Sequence, residues 1–443
     1  MSRAALTIVL VAPLGGCAHG SLRQDTFNVD SLLRVRAGVV GPSRVTNGSR
    51  TDADTVAQLL AQPLSAQSAV RIALIAHPAL RATYADLGLA RADVMQAALV
   101  ANPSISLDRF VAGRFLEFGI AQSFVELLSQ PMRRRVAESQ MVSARLRVAD
   151  EVFQHVTEVR AGLVDAVAAR QILDIRERAL AAAAASAVAA TAIHAAGNLQ
   201  ELDLVSERAA AAEFSAGATQ ARGVSQSSRE QLVRALGVST SGTALLLPER
   251  LPNPPVNDPD LDSLIALAMG NRLDLAAALQ DVNAAGKARG LTRVFRLLPD
   301  GTLTFAGEAE DGGPVKSGPG FSIPLPFFDR GQARMLRAQS ALDAAVARQE
   351  ALTLSVRADV RAAYALLASA RARFEEYRGQ VVPLRRRVTE ETQLQYNAMA
   401  VSVFGLLQAR QGELSAGQGF IEALSDYWKA RIQLERAVGT SLP

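Results

Sequence analysis

Hydrophobic residues follow a helical period after the polar N-terminal part of the chain. From Ala69 onward they fall on one face of a helix with 3.6 residues per turn, which predicts an amphipathic helix. Its apolar face is formed by Val70, Ala73, Leu74, Leu80, Leu87, Val94 and Leu99. The dipeptide Asn102–Pro103 ends the pattern, because proline lacks the amide that a helix interior needs.

The period changes to two over residues 103–124. Ile105 and Leu107 alternate with small or polar residues, and Phe118 and Ile120 do the same after the short sequence VAGR. Such alternation predicts two antiparallel strands joined by a turn, each with one apolar face.

A second and longer helical stretch follows from about Met132 over roughly 60 residues. Its apolar residues keep the spacing of a coiled-coil seam, which comprises Val152, Val156, Val159 and Leu163. The pattern breaks at residues 195–204 and returns as a helix that ends in LVRALGVS. A linker at 241–262 follows, and its five prolines oppose both helix and central strand.

The same order of elements then occurs again. AMGNRLDL corresponds to the earlier ALIAHPAL, and two further period-two segments lie at about 300–327. A long helix is predicted from Asp329, with a break at 396–407 and a returning helix that ends in LERAVGTS. The chain therefore consists of a first repeat at 66–240 and a second repeat at 263–443.

Composition supports long helices with a small β part. The chain has 443 residues, of which 49% are hydrophobic and only 5% aromatic, as suits narrow seams between helices. Its net charge is +4, and its arginines are interleaved with acids along helical faces, so no nucleic-acid partner is expected. No apolar run of transmembrane length follows the N-terminus, and no transmembrane helix is predicted.

The N-terminus has the features of a signal peptide at residues 1–16. Arg3 and a short apolar run precede Leu14-Gly15-Gly16-Cys17, the arrangement of a bacterial lipoprotein signal. Cys17 is the single cysteine, so it forms no disulfide within the chain and is predicted to be the lipid attachment site, carrying palmitate. A plain secretory signal is the alternative. Residues 17–65 are predicted to be a loosely ordered lipidated extension on the surface.

Four strands per chain are too few to close a membrane barrel, and open strand edges are not tolerated in lipid. Three chains would supply twelve strands with the alternation that outer-membrane strands show. Helices of about 60 to 70 residues would reach on the order of 100 Å, far beyond the needs of a globular domain. A barrel joined to such helices indicates a tube that crosses the periplasm.

These features together resemble the TolC-like outer-membrane efflux channels, in their lipidated branch. The resemblance rests on the segments ANPSISL, SIPLPFFDRGQAR and YNAMAVSVFGLLQAR, and on the two Leu-x-Arg-Ala-x-Gly ends. It implies a homotrimer with a twelve-stranded barrel and a periplasmic α-helical barrel, which docks on a periplasmic adaptor and an inner-membrane pump. By the same resemblance, Pro324 and Pro326 are expected at the periplasmic mouth, where strand becomes helix.

No arrangement of residues indicates an enzyme, a cofactor or a metal site. The four histidines lack metal-ligand spacing, and His77, before Pro78, is expected to be structural at a helix entry. The candidate periplasmic gate is formed by Glu201 and Asp203, whose carboxylates would make a cation-favouring ring in a trimer. The alternative is that Asp203 caps the returning helix or that both residues face solvent.

Two basic clusters follow the strand pairs and are candidates for contact with outer-membrane lipid headgroups. They are Arg133, Arg134 and Arg135 in the first repeat, and Arg330, Arg334 and Arg337 in the second. Pairing with helix-surface acids such as Glu138 is the alternative. For the whole chain, the alternative to a channel is a structural periplasmic coiled-coil or adaptor protein, which would have no reason to repeat a lipid-facing strand pair.

Overall fold

The computed structural model describes most of the chain beyond the signal sequence. The described residues are 22–37, 50–110, 115–239, 245–298, 300–310 and 313–442. The predicted signal peptide, Cys17 and the VAGR turn between the first two strands lie outside these ranges.

Two helices precede the first repeat, α1 (Leu22–Ala37) and α2 (Arg50–Leu60). The sequence predicted only a loosely ordered extension here, and this was wrong for both segments. Helix α1 buries Val29 and Leu33, and its Asp30 accepts a hydrogen bond of 3.0 Å from the hydroxyl of Tyr84. The prediction failed because α1 is strongly polar overall and gains its stability from packing on other helices.

The first repeat follows the predicted order. Its elements are α3 (Ala66–Ala76), α4 (Pro78–Ala98), β1 (Ser104–Phe110), β2 (Phe115–Ser123), α5 (Phe124–Ala195) and α6 (Glu201–Leu236). The single helix predicted from Ala69 is two helices that meet at His77. Helix α5 starts at Phe124, earlier than the predicted Met132, because Ser123 caps it directly after the strand.

The second repeat has the same order. Its elements are α7 (Leu261–Asn271), α8 (Leu273–Val294), β3 (Thr302–Glu310), β4 (Lys316–Ser322), α9 (Gln332–Glu376), α10 (Val382–Asn397) and α11 (Val403–Val438). A five-residue π-helical turn, Tyr377–Val381, joins α9 to α10, and Pro383 in the first turn of α10 lacks an amide donor. Helix α9 begins at Gln332, three residues after the predicted Asp329.

Strand β4 ends at Ser322, so the predicted strand through residue 327 was too long. Pro324 and Pro326 lie beyond it, between strand and helix, in the place expected from the resemblance. Neither proline has an amide to donate to a ladder.

The four strands form one antiparallel sheet in the order β1-β2-β3-β4. Each predicted hairpin is present, and β2 also pairs with β3 over their full lengths, from Phe115 opposite Glu310 to Ser123 opposite Thr302. The two repeats therefore contribute to a single sheet. Among the described strands of one chain, β1 and β4 each have one unpaired edge.

Helix α5 is the central element of the helical part. It has 72 residues, a length of about 110 Å, and it packs against α4, α6, α8 and α11. The seam residues Val152, Val156 and Val159 are all buried, as predicted. By length and composition alone, α5 is the one described helix that qualifies as a membrane-spanning candidate. Its contacts with four other helices are those of a helical bundle.

Candidate functional site

One face of the sheet is apolar and exposed. Because side chains alternate across a strand, the register places Ile105, Ile120 and Phe305 in one row and Leu107 and Phe118 in the next. Ile105 is 78% exposed and Leu107 is 68% exposed. An apolar surface of this extent indicates a lipid or protein partner rather than water.

The opposite face carries small and polar side chains. Ser106, Gly119, Ala306 and Gly318 share one row across all four strands. A Cβ atom added at Gly119 would lie 2.9 Å from the hydroxyl of Ser106, so the row has little room for larger residues. This face suits a water-filled lumen, where bulky side chains would narrow the path.

Charges on the small-residue face lie toward the ends of the hairpins. Asp108, Glu117, Glu308 and Lys316 are neighbours in a single row, next to the turns. On this same face, the rows at the opposite end of the sheet, next to the long helices, contain serine, threonine, alanine and glycine.

The candidate gate residues lie where α5 turns into α6. Gly197 makes this turn with a φ of +75°, and His194 contacts both sides of it. The His194 ring bonds the carbonyl oxygen of Leu199 at 2.9 Å through Nδ1, and its Nε2 lies 3.2 Å from a carboxylate oxygen of Glu201. The sequence did not predict a role for His194 at this turn, although its spacing from Glu201 across a Gly-Asn pair is visible there.

Glu201 and Asp203 are both exposed in the first turn of α6. The N-cap position is Gln200, which makes no side-chain capping bond, so Asp203 does not cap the helix. A carboxylate in a first turn is nevertheless stabilised by the amide dipoles of the helix N-terminus. The structure therefore places the two residues together at an exposed helix tip.

The second tip, between α10 and α11, is apolar. Met399 has a φ of 59° and is 94% exposed, and Ser402 caps α11 by accepting from the amide of Gly405. Val401 and Phe404 are partly exposed beside it. The tip offers hydrophobic contact surface, and no charged residue lies between Glu391 and Arg410.

The six candidate membrane-interface arginines divide into two groups. Three have partners within the chain: Arg133 donates to the carbonyl oxygen of Glu126, Arg134 pairs with Glu138, and Arg334 pairs with Asp329. The side chains of the other three, Arg330, Arg135 and Arg337, are exposed and have no charged partner among the described residues. Arg134 and Arg334 therefore have acidic partners, as the pairing alternative expects, and a lipid contact remains a prediction for all six arginines.

The histidine prediction for His77 is confirmed. His77 caps α4 by accepting from the amide of Ala79 at 3.2 Å, and its ring centroid lies 4.2 Å from that of His155. Burial, followed by the neighbouring His155, lowers the pKa of His77. Within the ranges that the structure describes, no group of three or more His, Cys, Asp or Glu side chains is arranged to hold a metal ion.

A buried charged cluster was not predicted from the sequence. Arg431 and Glu435 are only 4% and 6% exposed, and Arg160 bonds Glu435 at 2.7 Å. Arg431 lies 3.5 Å from Asp258 in the linker. The signal that could have revealed the cluster is two opposite charges four residues apart on the apolar face of α11.

The fold and part of the sequence match known outer-membrane channels. Residues 264–440 match the model of the Outer membrane efflux protein family. No curated protein sequence matches the chain.

Three solved structures show the shared fold over nearly the whole chain. A Pseudomonas aeruginosa membrane protein has 19% identity and a TM-score of 0.71, over 84% of this chain and 92% of its own. The Campylobacter jejuni CmeC outer membrane channel has 14% identity and a TM-score of 0.72, over 90% and 89%. The Vibrio cholerae outer membrane protein VceC has 17% identity and a TM-score of 0.70, over 87% and 97%.

The chain thus has the fold of TolC-like outer-membrane channels, and its second repeat matches the efflux family. These findings confirm the predicted resemblance and the mainly α fold class with a small β part, and the family match over the second repeat supports the predicted role as an outer-membrane efflux channel. The same family match supports the predicted location in the outer membrane.

Proposed function

We propose that three copies of the chain close one twelve-stranded barrel and form a passive conduit through the outer membrane. The observation that carries this proposal is the four-stranded sheet with an exposed apolar face and two open edges. In hydrocarbon each unpaired backbone group costs several kcal/mol, so the edge of β4 must find another strand. The edge of β1 in a second copy is antiparallel to it and is also open.

Barrel closure constrains how the two edges meet. Strands in such barrels tilt by about 35–45° and lie about 4.8 Å apart, so crossing four strands shifts the register by about 13–19 Å, or about four to six residues. The shift must be even, because an odd shift would turn the apolar face inward. We therefore expect a step of about four or six residues between β4 and the β1 of the next copy.

The helical parts extend the conduit into the periplasm. With α5 about 110 Å long, the tips lie far from the sheet, where a periplasmic adaptor and an inner-membrane pump would dock. The pump supplies the energy, and this chain supplies a water-filled path and no enzymatic step. The exposed apolar tip around Met399 supports the docking of an adaptor there. Lipid on Cys17 would anchor the N-terminus, and Arg135, Arg330 and Arg337 would contact headgroups.

Glu201 and Asp203 would form the cation-favouring constriction in the assembled tube. Three copies bring their carboxylates around one axis, and repulsion between like charges is relieved by cations. Replacing both residues by Ala is expected to lower cation selectivity in planar-bilayer recordings. Selectivity equal to that of the wild type would assign both residues to the solvated surface.

Paired cysteines test the trimeric barrel. Each pair places one cysteine in β4 and the other in β1 of the next copy. Ser322 with Ser106 tests a step of about four residues, and Ser322 with Asp108 tests a step of about six. Lys316 with Ser104 tests a step of about four residues in the opposite direction. Lys316 with Asp108, a step of zero, is the matched control. We expect oxidised trimers from at least one stepped pair and none from the control. Cross-linking of the control pair alone, or monomers from every pair, would contradict the proposal.

A further inference from the structure

A cavity lies between α5, α11 and the proline-rich linker. Its volume is about 620 Å³, within the range of small-molecule sites. The linker crosses over the cavity and is hydrogen-bonded to both helices. The indole of Trp428 in α11 donates to the carbonyl oxygen of Pro252 at 2.8 Å, and the amide of Leu251 donates to the side-chain oxygen of Gln171 in α5 at 3.4 Å. The cavity is therefore part of the folded chain and not a space between mobile segments.

The walls of the cavity are mostly apolar. Leu163, Val164 and Val167 line it from α5, Ile432 from α11, and Leu442 from the C-terminus. Leu163, Val167, Ile432 and Leu442 are buried, whereas Val164 is partly exposed toward the space. These surfaces suit an aliphatic or aromatic body.

The charges that line the cavity are unbalanced. Three guanidinium groups, those of Arg160, Arg250 and Arg431, line the cavity with one carboxylate, that of Glu435. Arg431 is also paired with Asp258 of the linker, so the excess positive charge lies with Arg160 and Arg250. Arg160 bonds Glu435 through one terminal nitrogen, and this is its one hydrogen bond within the described part of the chain. A guanidinium has five N–H donors, so Arg160 retains donors for another acceptor. Arg250 is exposed at the mouth and pairs with no described carboxylate.

We propose that this cavity binds an amphiphile with one anionic head, a carboxylate or a sulfate, and a single medium-length aliphatic body. The head would lie between Arg160 and Arg250, where charge-assisted hydrogen bonds to an oxyanion are available. The body would extend along Val164, which is partly exposed, and remove its apolar surface from water. A cationic amphiphile is disfavoured by the excess of arginine, and a two-chain phospholipid exceeds the volume. The inference does not rest on the trimeric barrel.

The chain contains its own probe for this test. Trp428 is the single tryptophan of the sequence and lines the cavity. The full-length protein in lipid nanodiscs is titrated with dodecanoate, dodecanol and dodecyltrimethylammonium while tryptophan fluorescence is recorded. We expect a saturable change with dodecanoate, affinity about tenfold weaker for dodecanol, which corresponds to about 1.4 kcal/mol, and no saturation with the cation. Equal responses to all three compounds would mean membrane partitioning and would overturn the proposal.

Two variants locate the binding. Arg250→Ala, at an exposed position, is expected to weaken dodecanoate binding about tenfold and to leave dodecanol unchanged. Val164→Phe fills the cavity and should abolish binding of both, whereas the control Val188→Phe, at a position 71% exposed and far along α5, should bind like the wild type. If Val164→Phe fails to fold, the Arg250→Ala result decides alone. Unchanged dodecanoate affinity in Arg250→Ala would overturn the assigned head site.

Discussion

The two repeats share one backbone contact, between a glycine near their C-terminal end and the junction of their first two helices, but the side chains at this contact differ. Each repeat ends in a glycine with left-handed backbone, Gly237 with φ of +69° and Gly439 with φ of +78°. Each of these glycines packs on the junction between the first two helices of its own repeat. A Cβ atom at Gly237 would lie 2.4 Å from the Cα atom of His77, and one at Gly439 would lie 3.1 Å from that of Arg272.

The side chains at the two junctions differ. In the first repeat His77 packs on His155, an aromatic contact between rings held in a partly buried place. In the second repeat Arg272 bonds Asp274 at 2.6 Å and Asp359 at 3.2 Å. The glycine and the helix ends define the backbone geometry of the junction. The side chain at the junction therefore only has to fill the remaining space and form its hydrogen bonds, and a histidine in one repeat can correspond to an arginine in the other.

The largest expected effect comes from the two glycines. Gly237→Ala combines left-handed strain of about 1–2 kcal/mol with a clash against backbone, worth about 1–3 kcal/mol more. Gly439→Ala causes the same backbone strain but a less severe clash, so its loss of unfolding free energy should be smaller. Thermal unfolding followed by circular dichroism gives the ranking. Equal losses in the two variants would show that the closer approach at Gly237 has no energetic consequence.

The next effect concerns the charged junction. Asp274→Asn removes the charge-assisted bonds to Arg272, whose side chain is only 14% exposed, and should cost about 1.5–3 kcal/mol. The same change at an exposed pair, Glu138→Gln opposite Arg134, should cost less than about 1 kcal/mol. Denaturation midpoints of the two variants, measured at matched salt, test the difference. A loss at Asp274 no larger than that at Glu138 would make the junction an ordinary surface pair.

The smallest effect is a pH dependence confined to the first junction. Burial and His155 lower the pKa of His77 below its usual value of about 6.5, so the unfolded chain binds the proton more readily. The stability that His77 contributes is therefore present above pH 6.5 and is lost as pH falls below it. His77→Asn, which keeps an acceptor for the cap of α4, should remove this loss.

Two buried acids also change the stability of the chain with pH, so the effect of His77 is measured as the difference between the wild type and the His77→Asn variant. Burial raises the pKa values of Asp30 and Asp150 to about 6, and each therefore favours the folded state as pH falls from about 6 toward 4, the opposite sign. Both contributions cancel in the difference between wild type and variant. The change in the unfolding midpoint from pH 7.5 to pH 5.5 should be more negative in the wild type than in His77→Asn. An equal change in both proteins would remove His77 as the cause.

Much of the fold was predictable because its signals are local. The alternation at Ile105 and Leu107, the helical seam from Val152 to Leu163, and the two Leu-x-Arg-Ala-x-Gly ends each depend on residues close in sequence. Helix starts were less accurate, as at Phe124, because a single capping serine decides them and serine is common elsewhere. Placing Glu201 and Asp203 at an exposed tip was also a local inference.

The sequence by itself determined the duplication, the general order of elements in each repeat, the two-faced strands and the presence of unusually long helices. Only the tertiary structure decided that β2 pairs with β3, that α1 packs by Asp30 against Tyr84, and that Arg431 and Glu435 are buried. The physical reason is that the period of the hydrophobic residues shows which face of a helix or strand is apolar, and this period depends only on residues close in sequence. Pairing across many tens of residues depends instead on shape, register and charge between surfaces that meet only in the folded chain.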